Sequence, residues 1–85
     1  MAFLTEVQLQ EVGFKNLGKN VKISDRASFY NPGNISIGDN SRIDDYCVLS
    51  AGREIIIGRN VHISIYTSII GKGKVLIEDF SALSG

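Results

Sequence analysis

Few side chains in this 85-residue chain suit acid–base or nucleophilic chemistry, and their spacing decides how each is read. The one histidine, His62, lies between Val61 and Ile63. An imidazole titrates near neutrality and serves as a general base when a carboxylate fixes its ring. On a strand, alternation sends His62 outward, in one column with Lys22, Arg42 and Ala82. No carboxylate in its own coil stands where it would orient the ring, so a surface imidazole beside an arginine is preferred to a catalytic base. Asp44, Asp45 and Tyr46 form a second cluster, with Tyr66 one period further on. Carboxylates facing solvent at a corner accept hydrogen bonds from sugar hydroxyls. The alternative is a solvated corner carrying a stacked tyrosine pair. The single Cys47 closes no internal disulfide, and its small inward column reads as a buried reduced thiol. One His and one inward Cys fall short of a metal's donor set, so no metal is expected.

A regular scaffold must position these groups. Large apolar residues fall on Leu17, Ile23, Phe29, Ile37, Ile43, Leu49, Ile57, Ile63, Ile69, Ile77 and Leu83, in steps of six, six and eight. With 44% of the chain hydrophobic, such a run at one preset register arises by chance roughly once in ten thousand tries. The period is 20 residues, which neither a helix nor a hairpin sheet maintains but a three-sided coil does. If each side is a strand of about four or five residues, the residue two before each beat also points inward. That column holds Val21, Ala27, Ile35, Ser41, Cys47, Ile55, Val61, Thr67, Val75 and Ser81, with its bulk on the Ile35, Ile55, Val75 wall. Gly18, Gly38 and Gly58, with Asn20, Asn40 and Asn60, are residue types that tolerate a left-handed corner. Glu78 and Phe80 replace them in the fourth coil, where the ladder is expected to end or the corner to change. Asn31 to Asn34, Ala51 to Glu54 and Gly71 to Lys74 read as turns protruding along one edge.

Residues 1–16 follow another pattern. Thr5 and Gln8 have capping-box spacing, Leu4 and Leu9 that of a hydrophobic staple, and Gly13 is placed to stop a short helix after Val12. The helix is expected to cap the first coil, covering strand edges with Phe3, Leu9, Val12 and Phe14. Two domains in sequence follow: 1–16, a capping helix and linker, and 17–85, the coil. Nine basic residues balance nine acidic ones, giving no electrostatic reason to expect nucleic acid or an anionic membrane as partner. No apolar run approaches the roughly 20 residues of a membrane span, so a small soluble, cytoplasmic protein is the default.

The beat, the Gly-x-Asn corners and the Ile-rich third wall resemble the hexapeptide-repeat acyltransferases over residues 17–85. Phe14-Lys15-Asn16-Leu17-Gly18, Asn34-Ile35-Ser36-Ile37-Gly38-Asp39-Asn40 and Arg42-Ile43-Asp44-Asp45-Tyr46-Cys47 are most similar to the branch that O-acetylates sugars and surface polysaccharides, the galactoside and maltose acetyltransferases. This resemblance implies an all-β, left-handed parallel β-helix of about three and a half coils behind the capping helix. The left hand enters only this way, since the ordinary rule for parallel crossovers is right-handed. It further implies acetyl-CoA as co-substrate, a sugar acceptor, a trimer with sites between neighbouring prisms, and a histidine base on later coils that also build the CoA groove. The chain resembles the N-terminal portion of such an enzyme, with Asp44, Asp45, Tyr46 and Tyr66 as remnants of an acceptor site. Alone it is expected to be inactive and to hold no cofactor. The other class of function is a noncatalytic scaffold or oligomerisation module. The outward column Ser36, Ile56, Leu76 and the open last coil favour self-association, through the walls or end to end. A regular threonine array for ice and a Gly-Gly-x-Gly-x-Asp calcium repeat are both missing from the sequence.

Overall fold

The structure is a computed structural model and describes residues 2–84. Thr5 caps helix α1 (Glu6–Val12): its hydroxyl accepts the Gln8 N–H at 3.2 Å, while the Gln8 side-chain oxygen accepts the Thr5 N–H at 2.9 Å. Gly13, at φ 85°, ends the helix in the left-handed conformation. The strands follow as β1 (Asn16–Leu17), β2 (Lys22–Ile23), β3 (Ser28–Tyr30), β4 (Ile35–Ile37), β5 (Arg42–Ile43), β6 (Val48–Ala51), β7 (Glu54–Ile57), β8 (His62–Ile63), β9 (Ser68–Gly71), β10 (Lys74–Ile77) and β11 (Ala82–Leu83). They run two to four residues, shorter than expected, because the corners take up more of each side.

Among the described residues the strands form three parallel sheets, ordered β1-β4-β7-β10, β2-β5-β8-β11 and β3-β6-β9. Each residue pairs with the one twenty positions on, as in Ile23 with Ile43 and Ile43 with Ile63. The product is a β-solenoid of about three turns with one short N-terminal helix. The beat marks its core. Ile23, Ile43, Leu49 and Ile63 are wholly buried, and Ile37 and Ile57 are nearly so. Leu17, Phe29, Ile77 and Leu83 pack against them partly buried. The second column is inward too, with Val21, Ile35, Cys47, Ile55 and Val61 buried. Of its polar members, Ser41 donates to the Gly58 carbonyl at 2.8 Å and accepts the Val61 N–H at 3.1 Å, which removes the cost of burying a bare hydroxyl.

The corner glycines have a different purpose from the expected one. Left-handed backbone falls on Asn20, Asn40 and Asn60, at φ 57°, 61° and 55°, and not on Gly18, Gly38 or Gly58. What requires glycine is the next rung: a Cβ on Gly38 would lie 2.6 Å from the Gly58 carbonyl carbon. Nor does the corner change in the fourth coil. Phe80 takes φ 62°, and its N–H donates to Arg59 O at 2.9 Å, as Asn60 N–H does to Asp39 O. The long step also differs from expectation. Its first passage forms a 3-10 turn, Pro32–Asn34, but β6 runs on to the buried Ala51, which pairs with Gly71.

The lower edge of the first coil is closed mainly by the segment before α1. Leu4 N–H donates to Ile23 O at 2.8 Å, Asp25 N–H donates to Ala2 O at 2.9 Å, and Phe3 bridges Ser24 in antiparallel fashion. From the helix, Leu9 is buried against the core, whereas Phe3 stays 39% exposed. No helix among the described residues is long and apolar enough to cross a membrane.

Two comparisons test this account. Ile57→Ala is expected to lower stability by about 2–5 kcal/mol in denaturant unfolding; an unchanged midpoint would show that the beat does not mark the core. Gly38→Ala is expected to cost about 1–3 kcal/mol through the rung clash. Gly73→Ala, whose Cβ meets nothing within 4 Å, should stay within about 0.5 kcal/mol of the parent. Equal midpoints for the two glycine variants would refute rung-to-rung crowding.

Candidate functional site

The outward face of the β2-β5-β8-β11 sheet stacks Lys22, Arg42, His62 and Ala82 in direct register. Immediately after β5, the Asp44 N–H donates to Ile63 O at 3.0 Å, anchoring the corner beside the coil above. From there the carboxylate reaches two partners. Oδ1 lies 2.6 Å from Arg42 Nε and Oδ2 lies 2.8 Å from His62 Nε2. The expectation of a solvent-facing Asp44 is thereby corrected: it is 7% exposed, since Asp44 shares the outward face with Arg42 two residues earlier and folds back against the wall. Burial works against its ionisation. The hydrogen bonds and charges of Arg42 and His62 together outweigh that and hold the carboxyl below its ordinary value.

His62 therefore has an orienting carboxylate after all, supplied by the coil below and not by its own. With Asp44 ionised, Nε2 must carry the proton and donate it, so Nδ1 is the nitrogen left for acid–base exchange. The signal was in the sequence. Arg42-x-Asp44 on one face, with a histidine one period above the arginine, puts the three residues on one wall once the 20-residue register is applied across coils, though not their contacts.

The rest of the expected cluster is split up by the corner. Asp45 accepts a short hydrogen bond from the buried Ser24 hydroxyl, which itself accepts the Arg26 N–H at 3.0 Å. Tyr46 stacks on Tyr66 with ring centroids 5.2 Å apart and planes 12° from parallel. Arg26 Nη1 donates to the Tyr46 hydroxyl at 2.6 Å. Both tyrosines adopt left-handed backbone, at φ 60° and 64°, an uncommon conformation for bulky residues that the rung contacts impose. As residues they remain 42% and 65% exposed. Cys47 is buried, its thiol donating to Ser64 O at 3.0 Å, and burial pushes that thiol up, away from the reactive thiolate. Among the described residues no group of three His, Cys, Asp or Glu is placed to hold a metal ion.

A three-sided coil of parallel strands with this corner chemistry fits a hexapeptide-repeat acyltransferase. More particularly, a dTDP-4-amino-4,6-dideoxy-D-glucose acyltransferase of Escherichia coli is 61% identical over 85 residues, a span that covers 99% of this chain and 44% of that enzyme. The structure of AntD, an N-acyltransferase from Bacillus cereus in complex with dTDP and 3-hydroxybutyryl-CoA, superposes with a TM-score of 0.89 at 46% identity, over 94% of this chain and 42% of AntD. An AntD variant in complex with dTDP-4-amino-4,6-dideoxyglucose and Coenzyme A gives 0.79 at 51% identity, over 89% and 39%. No protein-family model matches the chain. The chain thus spans less than half the length of these relatives. The first is an acyltransferase of a dTDP-amino sugar and AntD is an N-acyltransferase; they support the acyltransferase resemblance without showing its galactoside and maltose branch.

The Asp44 carboxyl is lower in the folded chain than in the unfolded one, so its contribution to stability is complete above the ordinary carboxylate range, about pH 3.9. It is lost as pH falls through the folded value. Between pH 5 and 2, the denaturant midpoint of the parent is expected to fall more steeply than that of Asp44→Asn. Parallel curves would remove the linkage.

Proposed function

We propose that these residues form the acceptor-side coils of an acyl-CoA-dependent N-acyltransferase that acts on a nucleotide-linked amino sugar. The 61% identity to the Escherichia coli enzyme across nearly the whole chain carries this reading. The ligands of AntD, dTDP-4-amino-4,6-dideoxyglucose and Coenzyme A, supply its substrate classes. In such a transfer the neutral amine attacks the thioester carbonyl carbon, and the tetrahedral oxyanion collapses with expulsion of the CoA thiolate. The nitrogen gives up one proton, which ends on the departing thiolate to give free CoA thiol, and an amide results. A hydroxyl is a weak nucleophile until it is deprotonated as it attacks and so depends on a general base, whereas a neutral amine attacks first and loses its proton afterwards. His62, Tyr46 and Tyr66 retain exposed surface and are assigned to contact the acceptor. Asp44 and Asp45 act through the protein groups they already hold. The 85 residues alone are expected to bind acyl-CoA weakly and to transfer nothing.

A chimera tests the assignment. These residues, exchanged for the matching 44% of the Escherichia coli enzyme, should support transfer from acetyl-CoA to dTDP-4-amino-4,6-dideoxyglucose, giving a product that resists hydroxylamine as an amide does. A folded chimera without transfer, or a hydroxylamine-labile ester product, would overturn the reading. In the same background, His62→Gln should lower kcat by about tenfold at most, against the hundredfold or more typical of losing a general base.

A further inference from the structure

The wall that carries His62 places like charges on neighbouring rungs. Lys22 pairs directly with Arg42, and Arg42 directly with His62. Adjacent like charges on paired strands are destabilising. The next column of the same coil avoids this: Lys19, Asp39, Arg59 and Asp79 alternate in sign, with Arg59 Nη2 3.3 Å from Asp79 Oδ2. Asp44 is a carboxylate set against the Lys22 column. Its side chain is only 10% exposed and is committed to Arg42 and His62, which sit at 46% and 47%. Between the lower two rungs lies a concavity of about 370 Å3 lined by Asn20, Lys22, Asn40, Ser41 and Arg42. Asp44 is not part of that lining.

We propose that this concavity is an anion subsite that takes the diphosphate of a nucleotide ligand, with Lys22 and Arg42 as its cationic sides and the Asn20 and Asn40 corners as its rim. Lysine supplies a mobile point charge and arginine a planar fork, the pair of donor geometries that phosphate oxygens accept. Asp44 holds the arginine in place through Nε. The left-handed backbone of Asn20 and Asn40, at φ 57° and 61°, fixes the rim from rung to rung. Bound phosphate oxygens would lie between the Lys22 and Arg42 side chains, which line the concavity together. The subsite deepens the functional reading above, and it rests on that reading for the kind of nucleotide involved.

The test is an NMR titration of the isotopically labelled 85-residue chain with inorganic pyrophosphate, dTDP and CoA in turn, at fixed ionic strength. Pyrophosphate is expected to give saturable shifts centred on the Lys22, Asn40 and Arg42 amides. Lys22→Gln changes only an exposed side chain and should raise Kd about three- to tenfold; Lys72→Gln, on a distant turn, should leave it unchanged. If dTDP shifts the same amides and CoA does not, the subsite belongs to the sugar nucleotide; the opposite pattern assigns it to the CoA diphosphate. Shifts that never saturate, that centre elsewhere, or that survive Lys22→Gln with the same Kd overturn the proposal. None of these results bears on transfer by the chimera, which tests the catalytic reading by itself.

Discussion

Each coil of the solenoid must sit on the one below at the spacing of hydrogen-bonded parallel strands, roughly 4.8 Å. That spacing leaves no room for a Cβ where two corners cross, hence glycine at positions 38 and 58 one above the other. It also forces the turning residue two places later into left-handed backbone whatever its side chain. Asparagine accepts this readily, and Phe80 accepts it at a cost of about 1–2 kcal/mol because the hydrogen bond to Arg59 O holds it there. The same vertical register lets Asp39 and Asp79 receive the Lys19 and Arg59 N–H groups from the coil beneath, at 2.8 and 2.7 Å.

The interior is uneven as a consequence. On the β1-β4-β7-β10 wall both inward positions are large, Ile35 with Ile37 and Ile55 with Ile57, and all four lie within 2% of complete burial. The other walls place small or polar groups on the second column, Ser41, Cys47 and Thr67, so the chain can turn sharply there without overfilling the prism. The corner with Asp44, Asp45 and Tyr46 lies between those two narrower walls. Its side chains are held by cross-rung contacts at both ends, Asp44 to His62 and Tyr46 to Tyr66. A site built this way is preorganised by the scaffold, and its geometry does not depend on a mobile loop.

Holding His62 through Nε2 to a buried carboxylate has a chemical meaning as well as a structural one. The contact orients the ring and sets one negative charge against the cationic column of Lys22, Arg42 and His62.

The sequence by itself determined the 20-residue period, both inward columns, and the helix with its capping box and Gly13 stop. Each of these follows from side-chain alternation or local backbone chemistry, which neighbouring residues specify. Only the tertiary structure decided that Asp44 is buried between Arg42 and His62, that Gly38 is glycine because of Gly58, and that Phe80 keeps an asparagine's conformation. These depend on what lies one rung away, at a separation of 18 to 21 residues, where hydrogen-bond direction and close approach are set by the stacked backbone and not by the local run of side chains.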